Sequence, residues 1–113
     1  MANTFVNKKV DLTSTDATTL YTVPSATTAV IKSILVSEDS GNADTITVTI
    51  TDTDDAVFSL FKTKAISANA TTELLSAPLV VAESEVIKVT AATANRLHVV
   101  LSALEIKPRT VTS

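Results

Sequence analysis

The sequence predicts an all-β fold, a single antiparallel β-sandwich of about eight short strands, jelly-roll or Ig-like. Three observations predict it. The stretch Asp44 to Asp52 places Thr45, Thr47, Thr49 and Thr51 on one side and Ile46, Val48 and Ile50 on the other. Side chains alternate faces along a strand, so this segment has a wet face and a dry face, and the dry face needs a second layer to cover it. Turn signals recur at roughly 8–12-residue spacing, as they do in sandwiches. No window carries a capped 3.6-residue period. A sandwich is favoured over a barrel because the strands are short and several are apolar on both faces.

The elements follow in order. Phe5 to Leu12 reads as a first strand after a polar start. Thr18 to Val23 is a second, ended by Pro24, which has no amide hydrogen for a ladder. Thr28 to Ser37 is apolar on both sides: Val30, Ile34 and Val36 on one, Ile31 and Leu35 on the other. That pattern predicts a central strand. Gly41, the only glycine, marks a turn because it takes positive φ without strain. It predicts an antiparallel hairpin between the Thr28 strand and the Thr/Ile strand. After a turn at Asp52 to Asp55, Val57 to Lys64 forms a strand whose Phe58 and Phe61 are expected to supply most of the aromatic burial. Ile66 to Thr72 reads as an irregular connection. Glu73 to Val81, broken by Pro78, reads as a short strand and an extended loop. Glu85 to Thr90 alternates again. Arg96 to Ile106 is the longest strand, with Leu97, Val99, Leu101 and Ala103 facing one way and His98, Val100, Ser102, Leu104 and Ile106 the other. Pro108 ends it.

The chain's 113 residues fit one domain, with short polar termini at about 1–4 and 107–113. Hydrophobic content is 45% but aromatics are only 4%, so Val, Ile, Leu and Ala must build the core. Charged residues make up 19%, below the usual quarter or so. A surface of hydroxyls rather than charges suits a protein packed on neighbours. A net charge of -3 argues against a nucleic-acid binder. Between Lys32 and Lys62 there is no Lys or Arg, only Glu38, Asp39, Asp44, Asp52, Asp54 and Asp55. Lys8 and Lys9 lie near the start, and Lys107 and Arg109 near the end. The loops are therefore expected to be acidic and the termini basic. With no cysteine there is no disulfide and no thiolate zinc site. Residues 1–10 lack a signal-peptide run, and no segment approaches the ~20 apolar residues of a membrane span. Synthesis and folding in a cytoplasm are expected.

The constellations that carry chemistry are absent or explained more simply. One glycine cannot make a phosphate-binding loop. His98 stands alone in mid-strand. Asp52 to Asp55 lacks the glycine and distal glutamate of an EF-hand and reads as an acidic turn. Glu83 and Glu85 read as a turn, not as a catalytic carboxylate pair. Nothing resembles a nucleophile elbow. Tryptophan is absent and Tyr21 is the only tyrosine, which weakens sugar-binding and single-strand nucleic-acid readings that need aromatic platforms. No catalytic, cofactor-binding or metal-binding residue is assigned, and no enzyme is expected. What remains is a scaffold that acts by touching other protein chains.

On these residues the chain resembles a family. Leu20-Tyr21-Thr22-Val23-Pro24, the run from Thr28 to Val36 and the Thr/Ile strand resemble the first half of small virion structural proteins of tailed bacteriophages. Ala77-Pro78-Leu79-Val80-Val81, Val86-Ile87-Lys88-Val89 and the closing run from Val99 to Ile106 resemble the second half. The likeness spans about residues 3–106 and consists of strand and turn patterns. One departure is that Ala82-Glu83-Ser84-Glu85 fills a turn where such proteins often place a glycine. The resemblance implies a sandwich protein present in many copies on a virion assembled in the host cytoplasm. It implies a capsid decoration or cement protein bound to the outside of the major capsid protein shell, itself a small cyclic homo-oligomer such as a trimer. Lys8, Lys9, Lys107 and Arg109 are the candidate shell contacts, with the acidic loops facing outward. The alternative is an adaptor of the tail, neck or fibre base.

Overall fold

A computed structural model describes residues 2–108 of the chain. Arg109 and the polar tail after it lie outside the described residues. Among those described there is no helix and there are nine strands: β1 (Ala2–Asp11), β2 (Thr18–Thr22), β3 (Thr28–Glu38), β4 (Asp44–Thr51), β5 (Val57–Ile66), β6 (Thr71–Glu73), β7 (Leu79–Val81), β8 (Val86–Ala91) and β9 (Leu97–Lys107). They form two antiparallel sheets. One is five-stranded, ordered β1-β9-β3 with β6 and β7 end to end along the far edge of β3. The other is four-stranded, ordered β2-β8-β4-β5.

The chain runs as one long hairpin. β1 pairs with β9, β2 with β8, β3 with β6 and β7, and β4 with β5 at the tip. That hairpin is then rolled, so that β9 also pairs with β3 and β8 with β4. This nested pairing is the jelly roll, one of the two sandwich kinds expected. The count of about eight strands corresponds to nine because β6 and β7 are two halves of one edge, separated by the segment containing Pro78. Thr71 and Thr72, read as the tail of an irregular connection, form the first half with Glu73.

The expected β3–β4 hairpin is not formed, since the two strands belong to different sheets. Gly41 does take positive φ, at 83°. A turn residue signals a change of direction but not whether the chain stays in its sheet. Here both flanks of β3 are occupied, by β9 and by β6 and β7, so β4 must cross to the other layer. Consecutive strands pair as a hairpin at β4–β5.

The core is aliphatic, as composition requires. Ile31, Ile34 and Val36 of β3 meet Ile46 and Val48 of β4, Ile87 and Val89 of β8, and Leu97, Val99 and Leu101 of β9, all fully buried. β3 is central, but it is not buried on both sides. Its ladder with β9 slips between Ile31 and Ser33, so Lys32 is an extra residue. Before the bulge Ala29 and Ile31 point inward; after it Ile34, Val36 and Glu38 do. A bulge inserts one residue and reverses the phase of alternation. The apparent two-sided hydrophobicity is one buried face with a frame shift.

The aromatic expectation also changes. Phe58 is exposed and Phe61 only partly covered, because β5 lies at the sheet edge, although both stand opposite inward residues of β4, Ile50 and Val48. Tyr21 is the buried aromatic, and its hydroxyl donates to Glu105 Oε2 at 2.5 Å. Burial first, then the Glu105 hydrogen bond and charge, push the phenol above its ordinary range. The turn that departs from the resembled pattern has Ser84 at φ 66°, the left-handed region that glycine occupies most easily.

Candidate interaction surface

Pairing fixes which side chains stand together on the outside of the five-stranded sheet, because directly opposed residues share a face. One row crosses the sheet as Phe5, Leu104, Val30 and Val80. The next toward the sheet end is Asn3, Ile106 and Thr28. On the other side come Asn7, Ser102 and Ser33, then Lys9, Val100, Leu35 and Glu73, then Asp11, His98, Ser37 and Thr71. Phe5 is 79% exposed, Val80 65% and Leu35 38%. Leu104, Val30, Val100 and Ile106 are half-buried beneath them. The face thus carries one wholly apolar row, a second apolar pair in Val100 and Leu35 beyond a polar row, and a polar far end. Four strand positions about 4.8 Å apart and ten residues at about 3.3 Å each make it roughly 600 Å². That approaches the ~800 Å² per partner of a standard protein interface.

At the polar end His98 sits between two carboxylates. Its Nε2 is 3.2 Å from Asp11 Oδ1 and its Nδ1 is 3.6 Å from Asp39 Oδ2. The imidazole is 43% exposed, and the concavity beside it, lined by Lys9, Val10 and Asp11 with Val99 and Val100, is an open surface feature. The two carboxylates address opposite ring nitrogens. Among the described residues no three His, Asp or Glu side chains are set to hold a metal ion.

The structure does not bring the four basic candidates together. Lys9 stands on the outer face, near Asn7 Oδ1 at 3.4 Å. Lys8 points to the opposite side, its Nζ 6.0 Å from the centre of the Tyr21 ring. Lys107 shares that inward side and lies 4.0 Å from buried Glu105. Arg109 is outside the described residues. Lys8 and Lys9 are neighbours in sequence, so a strand must send them to opposite faces; that signal was present in the β1 pattern.

Several acidic loop residues prove to be internal fasteners. Glu38 is buried. Burial alone would raise its pKa, but hydrogen bonds from the Ser40 hydroxyl and the backbone amides of Asn69, Ser40 and Gly41 outweigh that and hold it at about 2. The carboxylate ties the β3–β4 crossover to the β5–β6 loop through the Ser40, Gly41 and Asn69 amides at 2.8, 3.1 and 3.0 Å. Asp44, also buried, accepts from the Thr93 amide at 3.1 Å. Asp52 Oδ1 accepts from the Asp54 and Ala56 amides, both at 2.9 Å, closing the β4–β5 turn. Asp39, Asp54 and Asp55 remain exposed.

No family model matches the chain, and no curated protein sequence is similar to it. Among solved structures, a chain described as belonging to the cyanophage Pam1 capsid asymmetric unit is similar at a TM-score of 0.46 and 19% identity, over 94% of this chain and 85% of that one. A likeness that loose carries no function across. The surface itself must do so, and the five-stranded sheet carries Phe5, Val80 and Leu35, three of the five exposed large apolar side chains among the described residues. The residue order shows that β9 is apolar on both sides but not which neighbouring side chains stand beside its outward ones. Only the register shows that Phe5, Leu104, Val30 and Val80 form one row.

Proposed function

We propose that this chain is a virion structural protein of a tailed bacteriophage, a decoration protein that lays the outer face of its five-stranded sheet on the outside of the major capsid protein shell. The observation that carries the reading is the outward apolar row of Phe5, Leu104, Val30 and Val80, with Phe5 and Val80 exposed at its two ends. A patch of this kind on a domain otherwise rich in surface hydroxyls suits a protein partner. The sequence resemblance supplies the identity of that partner. Lys9, on the same face, is the basic candidate best placed to join the contact.

The mechanism is mass action. A chain that binds the assembled shell and not its separated subunits stabilises the assembly by RT ln(1 + [L]/Kd). No bond is made or broken, and the protein's output is buried area. A cryo-EM map of the particle tests the assignment. The expected result is density on the shell exterior, in copies proportional to the major capsid protein, with the five-stranded sheet facing inward. Density confined to one vertex, the tail or a fibre base would replace this reading with the adaptor.

A further inference from the structure

A sheet edge presents unpaired amide and carbonyl groups, and folded proteins block such edges against pairing. The edges of this sandwich differ in that respect. β5 slips register twice, holds Thr63 at φ 49° and carries Lys62 and Lys64. β2 is five residues long and slips between Thr19 and Tyr21. β6 and β7 are three residues each. β1 carries Lys8 and Lys9, but it has no register slip and is the longest regular edge described. Its ten residues run in unbroken register along β9, from Ala2 opposite Lys107 to Asp11 opposite His98. It is exposed over most of its length and carries the most exposed large apolar side chain described, Phe5.

We infer that β1 pairs with β1 of a second copy, antiparallel, about a two-fold axis along the sheet normal. The chemistry of the strand selects the register. The two-fold keeps outward residues opposite outward residues, so the position numbers of opposed residues must sum to an even value. Centring on Lys8 would set Lys8 against Lys8 of the second copy, which like-charge repulsion disfavours. Centring on Val6 sets Phe5 against Asn7. Centring on Asn7 sets Lys9 over the exposed Phe5 ring, Lys8 against Val6, and Asp11 against Asn3. No charge meets its like, and both Phe5 rings gain a cation and an aliphatic stem as cover. The pair then carries one continuous outer face across both five-stranded sheets, and it is closed, as an isologous contact must be.

This inference stands on the sheet edges and not on the shell reading, so purified protein alone tests it. Sedimentation equilibrium of the wild-type chain should give a dimer. The chain has no cysteine, so single cysteines report register cleanly. Asn7→Cys should cross-link to itself, since opposed Cα atoms lie about 4.5–5.5 Å apart, within disulfide reach. Phe5→Cys and Lys9→Cys should cross-link in a mixture but not singly, each being about 13 Å from its own copy. Asn7→Asp should weaken the dimer about three- to fivefold by setting like charges face to face. A monomer throughout the concentration range overturns the proposal. So does a dimer in which Asn7→Cys stays unlinked and Asn7→Asp leaves the affinity unchanged, with both variants confirmed folded by circular dichroism.

Discussion

The two sheets are alike inside and opposite outside. Inward, both present Ile, Val and Leu. Outward, the four-stranded sheet presents Thr45, Thr47, Thr49 and Thr51 on β4, flanked by Thr90 and Lys88 of β8 and Ser59 of β5, with Val86 and the exposed Val57 opposite Thr51 at one end. The five-stranded sheet presents Phe5, Leu104, Val30, Val80, Val100 and Leu35. Threonine suits a pleated surface facing water, because its branched carbon fits the pleat and its hydroxyl is hydrated. Exposed valine, leucine and phenylalanine fit the same pleat without that hydration. Fold stability therefore does not explain the difference. On the function proposed above, the more apolar outer face meets the protein partner and the hydroxyl-rich face meets solvent.

The sharpest way to break that comparison is inside one strand. Ile34 is fully buried and its neighbour Leu35 is 38% exposed. Ile34→Ala should lower stability by about 2–5 kcal/mol through lost transfer energy and a cavity. Leu35→Ala should lower it by about 1 kcal/mol or less. Denaturant unfolding of the two variants checks the pair, and equal losses would mean the outer face is part of the core.

A middling effect is expected where the sheets are tied by polar groups. Tyr21→Phe removes the one hydroxyl that bonds buried Glu105 across the sandwich. The carboxylate keeps only the 4.0 Å approach of Lys107, so a loss of about 1–3 kcal/mol is expected in thermal unfolding.

Glu38 adds a pH dependence. Its folded pKa of about 2 lies below its ordinary value of 4.5, so between those values the unfolded chain binds the extra proton. Its contribution is complete above about 4.5 and is lost as pH falls toward about 2. Unfolding midpoints of wild type and Glu38→Gln should converge across that window. A constant gap down to pH 2 would show that the loop fastener works without the carboxylate charge. The smallest effect is expected on the solvent face, where Thr49→Asp should shift stability by no more than about 0.5 kcal/mol.

Much of this architecture was legible in residue order. The period-two alternation of β4, β8 and β9 gave their inward faces correctly, because each is a regular strand with one covered side. Legibility failed where a ladder slips. The Lys32 bulge made one buried face of β3 look like two, and the edge position of β5 left Phe58 exposed although it stands opposite buried Ile50. It failed again at the β3–β4 crossover, where Gly41 announces a turn that only sheet order can direct. The interaction surface was half legible. Each outward apolar residue was visible, but their assembly into rows depends on long-range register that no local window contains. The basic termini were visible as composition, yet strand geometry splits Lys8 from Lys9.

The central claim is that the dry outer face, and not the hydroxyl face, binds the shell. The direct measurement is occupancy on shells lacking this protein, by co-sedimentation, for two folded variants. Val80→Asp with Leu35→Gln, both away from β1, should lower affinity at least about tenfold, or about 1.4 kcal/mol. Thr49→Asp with Thr90→Gln on the opposite sheet should leave it unchanged. Full occupancy by the first variant together with loss by the second would contradict the account.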